Sequence, residues 1–356
     1  MTSMSNKKIC FITPSLKMGG MERVLSILAN YATDKGYQVY IICLIEKTIA
    51  YKLDERIHVY EPKYLYKKGL LNKINTLRFL CEVLKSIKPD TILCFSEAFN
   101  PIAIIAAKLV GLPVYISDRS NPYKKLSRSK EIFRKITYPF ANGMIAQTVL
   151  AREVALKKKY NNNITVIPNP LRNINDNVAK NNDSKRIITV GRLVSTKNIE
   201  ELINIFSEIQ NKDWELYILG DGDQKYLLQK VVERLNIGNQ VKLVGAVKDV
   251  DAYLAESSIF AFTSLSEGFP NALSEAVAFP LPCVAYDCPA GPSDIVKDNV
   301  NGFLVPMHNK EMFKIQLENL MNSPTLRSRL TQDFKVHRDK YSSKKIADQF
   351  LKFIIG

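Results

Sequence analysis

Short apolar runs alternate with helix-length segments along this chain, and that rhythm leaves few folds open. Lys8–Thr13, Gln38–Leu44, Ile57–Glu61, Thr91–Ser96 and Pro113–Ser117 read as buried strands, with helical stretches near 71–87 and 100–110. A further strand-like run, Thr165–Pro168, precedes a polar stretch from Asn173 to Lys185 that reads as a linker. The rhythm then restarts at Arg186–Gly191 and continues through Glu215–Gly220, Val241–Val244, Ile259–Ser264, Cys283–Asp287 and Gly302–Val305. Alternation of this kind predicts an α/β chain with a doubly wound parallel sheet, made twice. A length of 356 residues fits two such domains, 1–170 and 171–340, followed by a final helical segment, 341–356.

Composition narrows the class further. Hydrophobic residues at 46% and charged residues at 24% suit a packed globular chain and exclude a disordered one. The six cysteines show no metal or redox spacing and are expected to be reduced core thiols of a cytosolic protein. No signal peptide is expected, and the longest apolar run, Pro101 to Leu112, is too short to span a bilayer and contains Lys108.

The formal charge of +15 is unevenly placed. Residues 1–170 hold 27 Lys and Arg against 12 Asp and Glu, whereas residues 171–356 hold 23 of each. A field confined to one half steers toward an anionic partner: nucleic acid, acidic lipid or a phosphorylated acceptor. A solvated Lys-rich surface is the plain alternative. Within 123–138, basic residues including Lys124, Lys125, Arg128 and Lys130 interleave with Leu126, Ile132, Phe133, Ile136 and Tyr138. That pattern predicts either an interfacial amphipathic helix on an anionic membrane or a solvated helix packed by its apolar side. Nucleic acid is disfavoured, because no recognised module or basic groove with stacking aromatics is legible.

Ser266-Glu267-Gly268-Phe269-Pro270-Asn271-Ala272-Leu273-Ser274-Glu275 places two carboxylates around a strand-to-helix turn. Asn271 is expected to cap the helix. Glu267 would lie at the carboxyl end of a strand, where open α/β sheets bind ligands, and Glu275 one turn into the helix. Free amides between them could meet anionic oxygens while the carboxylates accept from hydroxyls. Such a set suits a nucleotide sugar; a capped helix flanked by two solvated glutamates is the plain alternative.

The stretch E-G-F-P-N-A-L-S-E-A resembles the E-x7-E signature of family 4 retaining glycosyltransferases, whose GT-B architecture sets two Rossmann-like doubly wound domains facing a cleft. The resemblance implies that Glu267 contacts donor-sugar hydroxyls and that Glu275 holds the ribose hydroxyls, with Gly268, Phe269, Pro270 and Asn271 at the donor. It also implies that the G-R-x4-K element, with Arg192 and Lys197, binds the donor diphosphate, that Val247 lies beside the base, and that Gly19 and Gly20 form a loop near the diphosphate and acceptor. The I-P-N element at 167–169 resembles the family's domain junction, and the last helix would return to the first domain. Many members carry a histidine after the strand matching Pro113–Ser117; here Asp118-Arg119 stands there, and either residue is a candidate substitute, with a structural ion pair at the turn as the plain alternative. His58, His308 and His337 are all elsewhere.

A D-x-D at Asp221–Asp223 reads as a helix cap rather than a metal site, and no metal or other cofactor is expected. Gly-Gly-Met-Glu-Arg and Cys-Pro-Ala-Gly-Pro-Ser resemble bacterial enzymes that extend lipid-linked glycans for surface polysaccharide or protein glycosylation. The expectation is a metal-independent, retaining hexosyltransferase using a nucleotide sugar, UDP foremost, and a lipid-linked glycan acceptor. It would sit in the cytoplasm, peripheral on the inner face of the cell membrane. A GT-B nucleotide-sugar 2-epimerase, or a basic nucleic-acid binder, is the alternative reading.

Overall fold

The computed structural model of the protein describes residues 7–63, 69–174 and 184–356, so most of the polar stretch at 173–185 lies outside the described residues. The chain divides into two compact units, residues 1–170 with 341–356, and residues 171–340.

The first unit holds a seven-stranded parallel sheet: β1 (Lys8–Thr13), β2 (Gln38–Cys43), β3 (His58–Tyr60), β4 (Thr91–Phe95), β5 (Val114–Ser117), β6 (Gly143–Ala146) and β7 (Ile164–Val166). Their spatial order is β3-β2-β1-β4-β5-β6-β7. The period-2 side-chain alternation of strands sorts the core into two layers. Ile9 and Phe11 of β1 pack into one cluster, whereas Cys10 and Ile12 of the same strand pack into another on the opposite face. Burial of both faces explains why these strands are continuous apolar runs rather than alternating ones. The first layer also contains Ile346, Phe350 and Ile354 of the helix Ser343–Ile355. That helix lies against the helix Gly20–Asp34, where the Tyr31 hydroxyl donates to Asp348 at 2.6 Å, and Thr91 Oγ1 donates to the Ile354 carbonyl at 2.6 Å.

The second unit holds β8 (Arg186–Val190), β9 (Glu215–Leu219), β10 (Val241–Gly245), β11 (Ile259–Phe262), β12 (Cys283–Tyr286) and β13 (Gly302–Val305), again all parallel. Its order is β10-β9-β8-β11-β12-β13. In each sheet the strand order reverses beside the first strand, between β1 and β4 and between β8 and β11. Open doubly wound sheets bind ligands outside the carboxyl ends at such reversals.

The structure departs from the sequence expectations in four places. β6 adds a strand that the first-half pattern did not include. The basic segment becomes helical only over Arg128–Thr137, because residues 121–124 close a turn in which Lys124 N donates to Asn121 O at 3.0 Å. Asn271 is the first residue of its helix, Asn271–Ala278, and not its cap; Pro270 holds that position without a side-chain bond. Asp223 does not cap the helix Lys225–Arg234 either, since Gln224 occupies the position before it.

Candidate active site

At the reversal of the second sheet, two loops are tied together by their backbones. The segment after β8 forms a short 3-10 turn at Ser195–Lys197, and Asn198, in a left-handed conformation with φ 52°, redirects the chain into the helix Ile199–Ser207. The segment after β11 bonds to it repeatedly. Leu265 N donates to Thr196 O at 2.8 Å, Ser264 Oγ to Thr196 O at 3.1 Å, and Thr263 Oγ1 to the carbonyls of Lys197 and Asn198 at 3.2 and 3.1 Å. Buried hydroxyls spent on loop carbonyls fix loop against loop. The result is that Lys197 Nζ meets Glu267 Oε1, although the residues are 70 apart in sequence.

Two glycines let neighbouring backbones close on these loops. Gly220, at φ 134°, ends β9 so near β8 that a Cβ would lie 1.8 Å from the Gly191 carbonyl. Gly291, at φ 116°, lies where a Cβ would meet Pro270 Cδ at 2.2 Å. No L side chain fits either place. The Cys-Pro-Ala-Gly-Pro segment therefore backs the Gly268–Asn271 turn.

Arg192 follows Gly191 at the end of β8, exposed and without an ion pair among the described residues. Glu275 is buried in the fifth position of its helix. Sequence reasoning missed its partner. Arg172 Nε donates to Glu275 Oε2 at 3.0 Å while its Nη2 meets Asp251, itself buried. Burial works against the Arg172 charge, but the bond to Asp251 and the field of Glu275 raise its guanidinium above the ordinary value. Val247 is half-buried in the loop between β10 and the helix Val250–Ala255. Cys288 is also buried, which pushes its thiol up to about 12 and makes it no nucleophile.

In the first unit, Gly19 is extended and precedes the helix Gly20–Asp34, and its carbonyl accepts from the Tyr51 hydroxyl at 3.0 Å. Asp118 is committed inward. Arg134 meets Oδ2, while the Tyr138 hydroxyl and Asn100 Nδ2 donate to Oδ1 at 2.7 and 2.9 Å. Arg119 stacks 4.4 Å over the Phe95 ring and donates from Nη1 to Asn169 Oδ1 at 2.7 Å. Burial pushes its guanidinium below the ordinary value. Lys124 is exposed and pairs with Glu97 at 3.1 Å, whereas Lys125, Arg128 and Lys130 lie exposed.

Two parallel Rossmann-like sheets, with paired acids and cations gathered at the reversal of the second, define a GT-B type fold. The family 4 glycosyltransferase profile matches residues 18–172, and the glycosyl transferases group 1 profile matches residues 172–336. The chain is 31% identical over 332 residues to an uncharacterised glycosyltransferase of Methanocaldococcus jannaschii, covering 84% of this chain and 79% of that one. This protein belongs to the family 4 glycosyltransferases. It is also 27% identical, over 98% of each chain, to a Campylobacter jejuni alpha-1,4-N-acetyl-D-galactosaminyltransferase whose name carries a GalNAc-bearing diNAcBac-PP-undecaprenol. Among solved structures, a TarM variant of S. aureus in complex with Fondaparinux, alpha-GlcNAc-glycerol and UDP superposes with a TM-score of 0.81 at 17% identity. That match covers 98% of this chain and 99% of TarM.

Proposed function

We propose that this glycosyltransferase transfers a hexose or N-acetylhexosamine from a UDP-sugar to a lipid-diphosphate-linked glycan, with retention of configuration and without a metal. The observation that carries the donor assignment is the meeting of Lys197 with Glu267 at the reversal of the second sheet, with the Arg172-held Glu275 one turn into the helix that follows. A carboxylate and an ammonium side by side suit a ligand that presents hydroxyls next to phosphate oxygens. Glu267 accepts from sugar hydroxyls, Lys197 and Arg192 face the diphosphate, and Glu275 accepts from the ribose. Val247 borders the base, and Gly268, Phe269, Pro270 and Asn271 offer backbone to the sugar.

Breaking the sugar–phosphate bond builds negative charge on the departing diphosphate, and preorganised cations stabilise charge where it develops. In a front-face displacement the leaving diphosphate itself accepts the acceptor's proton. No histidine base is then needed, and an Asp118 bound on both oxygens is compatible with that route. The first unit, with Gly19 and Gly20 at its own sheet reversal, takes the acceptor.

Support for a lipid-borne acceptor comes from the helix Arg128–Thr137. Ile132 and Ile136 are 57% and 59% exposed, Phe133 and Phe140 lie outward as well, and Arg128, Lys130 and Lys135 surround them. Apolar side chains amid basic ones suit reversible seating on an anionic leaflet. No helix among the described residues is long and apolar enough to cross a membrane. The relatives named for undecaprenol-linked glycans add support of the same kind.

The test is a thermal-shift screen of nucleotide sugars followed by transfer to lipid-diphosphate acceptors. The reading expects stabilisation by UDP and at least one UDP-sugar, then an acceptor-dependent product with the donor's anomeric configuration. Hydrolysis or epimerisation of UDP-GlcNAc that ignores every acceptor would replace it with the epimerase reading.

A further inference from the structure

Lys197 and Glu267 neutralise each other. Lys197 Nζ donates to Glu267 Oε1, and neither side chain has a second hydrogen bond or ion pair among the described residues. The two side chains are 21% and 10% exposed, so the pair is sheltered from water yet reachable from it. Charges in such a place are screened much less than on an open surface.

The surrounding chain holds both partners in position. The stem of Lys197 runs along Gly191, where a Cβ would lie 3.5 Å from its Cε and 3.8 Å from its Cδ, and its ammonium lies 5.7 Å from the centre of the Phe262 ring. Thr263 and Ser264, bonded to the carbonyls of Thr196, Lys197 and Asn198, fix the loop that carries Glu267. A ligand that sets a phosphate on Lys197 therefore meets a carboxylate at contact distance.

That carboxylate treats two chemistries oppositely. A sugar hydroxyl donates to it, whereas a phosphate oxygen has no proton to give and is repelled. The ammonium offers three donors and no acceptor, so Glu267 also occupies part of what a phosphate would use. Transfer of the sugar turns the second phosphate of the donor from a diester into a terminal group. With a second pKa of about 6, a terminal phosphate gains a further negative charge at neutral pH. The product thus brings the most charge, and no hydroxyl, to the place where Glu267 stands.

We propose that Glu267 is a specificity determinant that separates donor from product, favouring the sugar-bearing diphosphate and opposing the bare nucleoside diphosphate. This rests on the donor reading of the second unit, and it gives one of that site's residues a second role.

The experiment titrates UDP and UMP into the full chain and takes the ratio of the two affinities. Only UDP carries the second phosphate, and a general weakening of the site cancels in the ratio. Glu267→Gln, which keeps the shape and removes the charge, should raise the ratio at least about fivefold, the scale of one unit charge near contact distance. Lys197→Met should lower it. Melting curves report the fold, and Glu267→Ala, with the same rise expected, stands in where the amide unsettles it. A ratio that stays level or falls on loss of the Glu267 charge overturns the proposal and leaves the donor reading standing. A wild type that binds neither nucleotide removes the donor reading itself, and the proposal with it.

Discussion

Arg172 donates from Nε to Oε2 of Glu275 at 3.0 Å, and the same guanidinium turns Nη2 to Asp251. Both acids are buried, so one cation holds two carboxylates that would otherwise repel each other. Arg172→Leu leaves two uncompensated acids. We expect a loss of about 3–5 kcal/mol in urea unfolding, together with weaker UDP binding. Adding Asp251→Asn should recover part of the stability, and an unaffected unfolding midpoint in Arg172→Leu would contradict the bridge.

Lys197 and Arg192 are assigned to charge that appears as the sugar–phosphate bond breaks. Replacing either by Ala should lower kcat by about 10²–10³ at saturating donor. In Lys197→Ala the Glu267 carboxylate also loses its partner, so KM for the donor should rise there, and less in Arg192→Ala, whose side chain has no ion pair among the described residues to lose. Wild-type kcat in both variants would remove the leaving-group assignment.

Neutralising Lys124, Lys125, Arg128 and Lys130 together should release the protein from anionic vesicles, at about 1 kcal/mol for each basic residue near the surface. Lys124 already pairs with Glu97 and should contribute least. Ile132→Ser with Ile136→Ser should release it at unchanged charge. Co-sedimentation that survives both sets of changes would exclude this helix as the membrane contact.

His337 joins the helix Phe334–Lys340 to the Glu267–Glu275 element, with Nε2 3.0 Å from the Ser274 carbonyl. Burial pushes its imidazole down to about 4. The unfolded chain therefore binds a proton near pH 6.5 that the folded chain refuses until about 4, and folding stability falls as pH drops through that window. The loss attributable to His337 approaches about 3 kcal/mol at the acid end. His337→Gln should be less stable than the wild type at pH 7, with the difference shrinking at pH 4.5. Melting curves displaced in parallel across that range would contradict a buried neutral histidine.

The strand rhythm carried both sheets in the sequence because parallel strands buried on two faces are continuous apolar runs, bounded here by Gly and Pro. β6 escaped because Gly143-Met144-Ile145-Ala146 follows almost directly on a helix and a tight turn. The acid and cation motifs were legible because each lies within one short stretch of sequence, Glu267–Glu275 and Arg192–Lys197. Arg172 was not, since its bonds join residues 79 and 103 positions apart. Asp118 reads in the sequence either as a substitute for the family's histidine or as part of an ion pair at a turn, and the ion pair is what Arg134 makes with it, with Tyr138 and Asn100 bonded to its other oxygen. Caps failed for a local reason: Pro270 and Gln224 took the positions that Asn271 and Asp223 favour by propensity alone.

The proposed donor site holds a uridine nucleotide across the reversal of the second sheet, with its ribose on Glu275. Calorimetric titration of UDP into the wild type and into Glu275→Ala addresses this directly. Measurable binding that weakens at least tenfold in the variant is the expected result; equal affinity in the two proteins, or none in the wild type, would contradict it.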